Sequence, residues 1–109
     1  MKKIILVLLI FNFICFFVFA QEIEVIQEKD KLVSMTIEFL PSLDEARFIY
    51  TCPAGLFEHG EAMKVIKERA ANFTRERGYF FYTYLRPDVT RYDNEKKLAS
   101  YTAFIKFLD

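Results

Sequence analysis

The sequence predicts an α+β fold: a two-layer domain in which a four-stranded antiparallel sheet carries one helix on one face, in the order β-β-α-β-β, behind an N-terminal signal peptide. Three observations carry that expectation. Residues 32–40, 47–52 and 98–108 alternate apolar and polar side chains with a period of two, which gives each strand one buried face. Residues 57–77 repeat apolar side chains at three- and four-residue steps instead, the period of a helix with one buried stripe. A chain of 109 residues has room for a single core. One helix covers one side of a sheet, and alternating strands need only one side covered.

Met1-Lys2-Lys3 is a basic start, and Ile4 to Ala20 then runs seventeen residues with one polar interruption, Asn12. Val18-Phe19-Ala20 ends that run on a small residue and Gln21-Glu22 opens a polar stretch, so residues 1–20 read as a signal peptide cleaved after Ala20. The alternative is a membrane anchor made of residues 4–20, although seventeen residues are marginal against the roughly 20 that a spanning helix needs. Cys15 sits inside the apolar run without a small residue before it, which is not the arrangement of a lipid-modified cysteine. Cleavage leaves 89 residues with 15 acidic and 13 basic side chains, a net charge of −2 and 46% hydrophobic residues. That content excludes a disordered chain, and the charge excludes the basic footprint of a nucleic-acid binder. Cys52 is then the one remaining cysteine, so no internal disulfide forms.

Residues 21–31 are charged and lack turn residues, and read as a flexible lead-in to a single domain over 32–109; a weak edge strand through Ile23, Val25 and Ile26 is the alternative. Between Leu32 and Leu40, Val33, Met35, Ile37 and Phe39 share one side of a strand, which Pro41 ends because proline cannot donate to a sheet ladder. Arg47 to Cys52 is a second strand with Phe48, Tyr50 and Cys52 on one face, stopped by Pro53-Ala54-Gly55. In the helix, Ala62, Met63, Ile66, Ala70, Phe73 and the stem of Arg77 form the inner stripe. Glu58 and Glu61 suit its positive end, Arg75 and Arg77 its negative end, and Gly78 is placed for a left-handed cap.

Tyr79 to Leu85 is dense in aromatic residues and reads as a central strand. Arg86-Pro87-Asp88 interrupts it, Val89 to Tyr92 continues it after a kink, and Asp93 to Lys96 supplies a turn. Leu98 to Leu108 returns with Ala99, Tyr101, Ala103, Ile105 and Phe107 on one face. Either parity of Tyr79 to Leu85 leaves aromatic rings on the sheet face away from the helix. Exposed aromatic residues mark contact surfaces, so Tyr79, Tyr82, Tyr84, Tyr92 and Tyr101, with Arg86 and Arg91 beside them, form the candidate binding surface.

Residues with catalytic chemistry are sparse. Glu58-His59-Gly60-Glu61 is a poor metal set, since neighbouring residues project apart and no second His or Cys lies close. Cys52 and His59 form a nominal nucleophile and base without an orienting third residue. Gly55, Gly60 and Gly78 are isolated, so there is no phosphate loop. Asn72-Phe73-Thr74 matches a glycosylation triplet but lies within the helix, with Phe73 on its buried stripe. Arg69, Arg75, Arg77, Arg86 and Arg91 are interleaved with acids, which reads as a solvated mixed surface rather than an anion-binding patch.

Arg69-Ala70-Ala71 followed by Gly78-Tyr79-Phe80-Phe81, within residues 46–85, resembles a pattern in small bacterial cell-envelope proteins of unknown function, many of them classed as lipoproteins. The resemblance implies an envelope location and brings no catalytic residue, cofactor or metal ligand with it. The expectation is therefore an exported domain of the periplasm or cell envelope, without enzymatic activity, that binds another envelope protein or its own copy. It meets no nucleic acid, and meets the membrane only through the N-terminal segment if that stays uncleaved. The alternatives are a small hydrolase or redox protein using Cys52 and His59, or an inhibitor or immunity-type protein with Arg86 to Lys97 as a protruding loop.

Overall fold

The computed structural model describes residues 22–109; the expected signal peptide, the anchor formed by residues 4–20 and Cys15 lie outside the described residues. The elements are β1 (Glu24–Asp30), β2 (Val33–Leu40), β3 (Glu45–Pro53), a short 3-10 turn (Ala54–Leu56), α1 (His59–Glu76), β4 (Phe81–Asp93) and β5 (Leu98–Leu108). They form one helix and one antiparallel sheet of five strands, in the spatial order β1-β2-β3-β5-β4. The α+β architecture is as expected, and two details differ.

The first difference is β1. Residues expected as a flexible lead-in pair along their length with β2, from Glu24 opposite Phe39 to Asp30 opposite Val33. Strand character was hidden because the inward positions are Glu24, Ile26 and Glu28, so the face toward the helix carries charge rather than an apolar row. Those charges are answered from α1: Arg77 donates to both carboxylate oxygens of Glu24 at 2.8 and 2.5 Å, and Arg69 Nε donates to Glu28 at 2.7 Å. The spacings match, since four strand residues rise about 13 Å and the eight helical residues from Arg69 to Arg77 rise about 12 Å.

The second difference is β4, which is an edge strand rather than a central one; β5 takes the place beside β3. The kink expected at Arg86-Pro87-Asp88 is present as register shifts between Tyr84 and Arg86 and between Arg86 and Val89. A proline is tolerated there because an edge strand has one side on which no ladder partner needs its N–H.

The alternation read from sequence holds in the central strands. Met35, Ile37 and Phe39 of β2, Phe48, Tyr50 and Cys52 of β3, and Ala99, Tyr101, Ala103, Ile105 and Phe107 of β5 are all buried. From α1, Ala62, Ile66, Ala70 and Phe73 meet them, while Met63 is half-buried. The centre is aromatic: Phe73 makes edge contacts to Phe39 at 5.1 Å and Phe48 at 5.8 Å, and a tilted one to Phe107 at 5.3 Å. Ala70 and Ala103, both fully buried, leave room for helix and sheet to approach.

Two local devices orient the helix. Gly78, at φ 77, ends α1 in a Schellman motif: its N–H donates to the Arg75 carbonyl at 3.2 Å, and Tyr79 N–H to the Thr74 carbonyl at 2.9 Å. Arg77 behaves as its stem position suggested, with its guanidinium 5.0 Å from the Phe73 ring centre and 5.5 Å from that of Phe39 while it reaches Glu24. The expected turn after β4 is also present, with Asp93 Oδ1 accepting from the N–H groups of Glu95 and Lys96 at 3.1 Å.

Phe73→Ala removes a fully buried ring from the centre of this cluster. It should cost about 3–5 kcal/mol, seen as a lower urea midpoint at unchanged slope. Glu28→Gln, at a half-exposed ion pair, should cost less than about 1 kcal/mol in the same measurement.

Candidate functional site

The seven residues expected to form a binding surface do not share one face. Pairing of Tyr82 with Phe107 and Tyr84 with Ile105 sets the parity of β4: these tyrosines point to the helix side, and Phe81 and Thr83 to the other. Tyr50, Tyr92 and Tyr101 are also on the helix side by register. The uncovered sheet face is therefore not tyrosine-rich. It carries Thr36, Ile49, Thr51, Ser100 and Thr102, half-buried, with an Arg47–Glu38 ion pair at 3.0 Å. Its aromatic rings are Phe81 and Phe104, and Arg86 lies 4.8 Å over the latter.

Tyr79 and Tyr101 are structural. Tyr79 stacks on Phe107 with ring centres 4.9 Å apart, and its hydroxyl donates to Asp44 Oδ1 at 2.6 Å. Asp44 is itself held in a left-handed conformation, φ 52, between β2 and β3, where its carbonyl accepts from Phe107 N–H at 2.7 Å. Tyr101 is 1% exposed and donates to the Asp88 carboxylate from within the irregular part of β4. Burial, then the hydrogen bond to Asp44, pushes the Tyr79 phenol up to about 12; burial and Asp88 act in the same direction on Tyr101.

What remains at the surface is β4 itself. Phe80 just before it is 83% exposed, Phe81 47%, and Tyr84 and Leu85 40% each, while Tyr92 near its end is 59% exposed and meets the Phe57 ring at 5.9 Å. Residues 80–85 carry no charge. Arg86 and Arg91 flank the strand on the far side by register. On the helix side an open pocket of about 410 Å³ runs beside the strand, lined by Met63, Lys67, Tyr84, Leu85, Pro87 and Asp88. Among the described residues nothing pairs with the outer edge of β4. The opposite edge, β1, is exposed too, but Glu24, Glu28, Lys29 and Asp30 charge it. Of the residues expected to form a binding surface, Tyr84, Tyr92, Arg86 and Arg91 lie along this exposed strand. Sequence reasoning missed Phe80 and Phe81, whose charge-free run beside Tyr82 was the available signal.

The remaining candidates are Cys52 and His59. Cys52 is a free thiol, 2% exposed, and burial pushes it up, the reverse of an activated nucleophile. His59 lies at the start of α1 with its ring 5.0 Å from that of Tyr101. Among the described residues no group of three or more His, Cys, Asp and Glu side chains is placed to hold a metal ion, and no helix is long and apolar enough to cross a membrane. The protruding loop expected over Arg86 to Lys97 is not found, because Arg86 to Asp93 belongs to β4 and only residues 94–97 form the turn. The arginines do not gather: Arg69 and Arg77 are tied to β1, Arg75 donates to Asn72 at 2.5 Å, and Arg86 and Arg91 lie on the far face. Comparison with family models, curated proteins and solved structures finds no match for the chain.

Both buried phenols hold their protons more tightly when folded than the ordinary value near 10 of an unfolded tyrosine. Their contribution is complete below about pH 10 and is lost as the pH rises through the folded values. Urea unfolding followed by circular dichroism should show level stability from pH 8 to about pH 10 and a steep fall toward pH 12. Tyr79→Phe should lower the plateau and flatten the fall.

Proposed function

We propose that this protein is an exported, non-enzymatic domain of the cell envelope that binds an extended segment of another protein, or of a second copy of itself, along β4. The observation that carries the reading is the edge of β4, where residues 80–85 offer free main-chain groups and exposed Phe and Tyr side chains without a charge to deter pairing. An added strand takes its affinity from main-chain hydrogen bonds and its specificity from pockets that receive alternate side chains. The pocket between Met63 and Pro87 is one such receptacle. The acidic, charged edge of β1 favours β4 over β1 as the docking side.

A photo-crosslinking residue placed at Phe80 or Tyr84 in the producing cell should give a discrete adduct, and the same residue at Lys29 on β1 should not. Phe81→Lys combined with Leu85→Lys should abolish the adduct while leaving the circular dichroism spectrum unchanged. Equal adducts from both edges, or none from β4 together with a monomeric mass by sedimentation, would overturn the reading. The intact mass of the protein recovered from cells tests export separately: residues 21–109 are expected, and the full-length mass would point to an anchor.

A further inference from the structure

A second cavity lies on the helix side at the far end of the sheet, remote from β4. The backbone of α1 sits over β3, β5 and β4, and the side chains of Arg69 and Arg77 reach across to β1. Toward the end of the helix the gap above β2 is filled by Phe39, Phe73 and the Arg77 guanidinium. Toward its start, Val65 and Glu61 are too short to do the same. A cleft of about 520 Å³ is left between α1 and the end of the β1–β2 hairpin, within the range of small-molecule sites.

Its floor and walls are Val33, Met35, Tyr50 and Val65, an apolar lining in which Met35 and Tyr50 are almost fully buried. The charges around it are unequal in effect. Arg69 is taken up by two carboxylates, Glu28 at 2.7 Å and Glu76 at 3.3 Å. Lys29 and Lys31 both line the rim, Lys29 from the other face of β1, opposite Ser34. Asp30, opposite Val33, and Glu61 on α1 face the cleft itself and bias its helix-side wall toward negative charge. The same bias reaches the Tyr50 phenol, which burial raises first and Cys52, Glu61 and Glu58 raise further.

We infer that this cleft binds a small amphipathic cation, an apolar body lodged on Met35, Tyr50 and Val65 with a positively charged head beside Glu61. The apolar body replaces water over Met35 and Val65, and the head is drawn by Glu61 and by the Tyr50 ring. A carboxylate head on the same body meets Glu61 and Asp30 and is disfavoured.

The test is a methyl NMR titration of the full chain, reading the Met35, Val33 and Val65 resonances, with decyltrimethylammonium and with decanoate as probes below their micelle concentrations. The ammonium probe should shift these methyl groups saturably, at a midpoint about tenfold below that of decanoate, a ratio that corresponds to about 1.4 kcal/mol. Glu61→Gln, at an exposed position, should bring the two midpoints together by several-fold without changing the unbound spectrum. Val65→Phe, which fills the cleft, should remove the response. Equal midpoints for the two probes, a tighter decanoate, or cleft methyl groups that stay unmoved while others shift would each overturn the inference. Because the readout is confined to the cleft, none of these results depends on whether β4 binds a partner.

Discussion

One helix of eighteen residues has to serve a sheet of five strands, and most of the structure follows from that shortfall. A helix is about 10 Å across and strands lie about 4.8 Å apart, so α1 covers two or three of them well. It lies over β3, β5 and β4, and the remaining regions of the helix side are met in different ways. Over β1 the closure is ionic, with Arg69 and Arg77 reaching across to Glu28 and Glu24. Over the end of β2 it is aromatic, through Phe39 and Phe73. Near the β1–β2 turn a cleft remains among the described residues.

The same shortfall explains how the tyrosines divide. Tyr79 and Tyr101 lie where the helix and the neighbouring strands already enclose them, so each needs a partner for its hydroxyl and finds one in Asp44 or Asp88. Tyr84 and Tyr92 lie on the outermost strand, at the margin of the layer that α1 covers, and stay 40% and 59% exposed. Aromatic residues of one chemical type thus become either part of the core or part of the surface according to how far their strand is from the helix axis. The uncovered face carries mainly Thr and Ser with the Arg47–Glu38 ion pair.

How much of this was legible in the sequence depended on which force held each element. β2, β3, β5 and α1 are held by apolar burial, which leaves a period of two or of three and four, and their inner faces were readable residue by residue. The glycine cap was readable because only one backbone conformation ends a helix in that way, and Gly78 adopts it. β1 is held by main-chain pairing and by two arginines more than forty residues away, neither of which leaves an apolar period. The rank of β4 was misjudged because aromatic density records strand propensity, whereas position in a sheet is set by which strand pairs with which. The candidate surface was correspondingly half legible: its residue types were visible, and their faces were fixed only by the register between Tyr82 and Phe107.

The place of β5 has a consequence for the order of assembly. It is the last described strand in the chain, yet it lies between β3 and β4 and supplies Tyr101, Ile105 and Phe107 to the core. A chain growing from its N-terminus can form the β1–β2–β3 meander and α1 early, but β4 has no neighbour to pair with until residues 98–108 have been made. Closure of the sheet is thus a late, long-range event, of the kind whose loop-closure entropy slows folding. Until that moment the aromatic run of β4 and the inner edge of β3 are both unpaired, so the nascent chain presents more adhesive surface than the finished domain does.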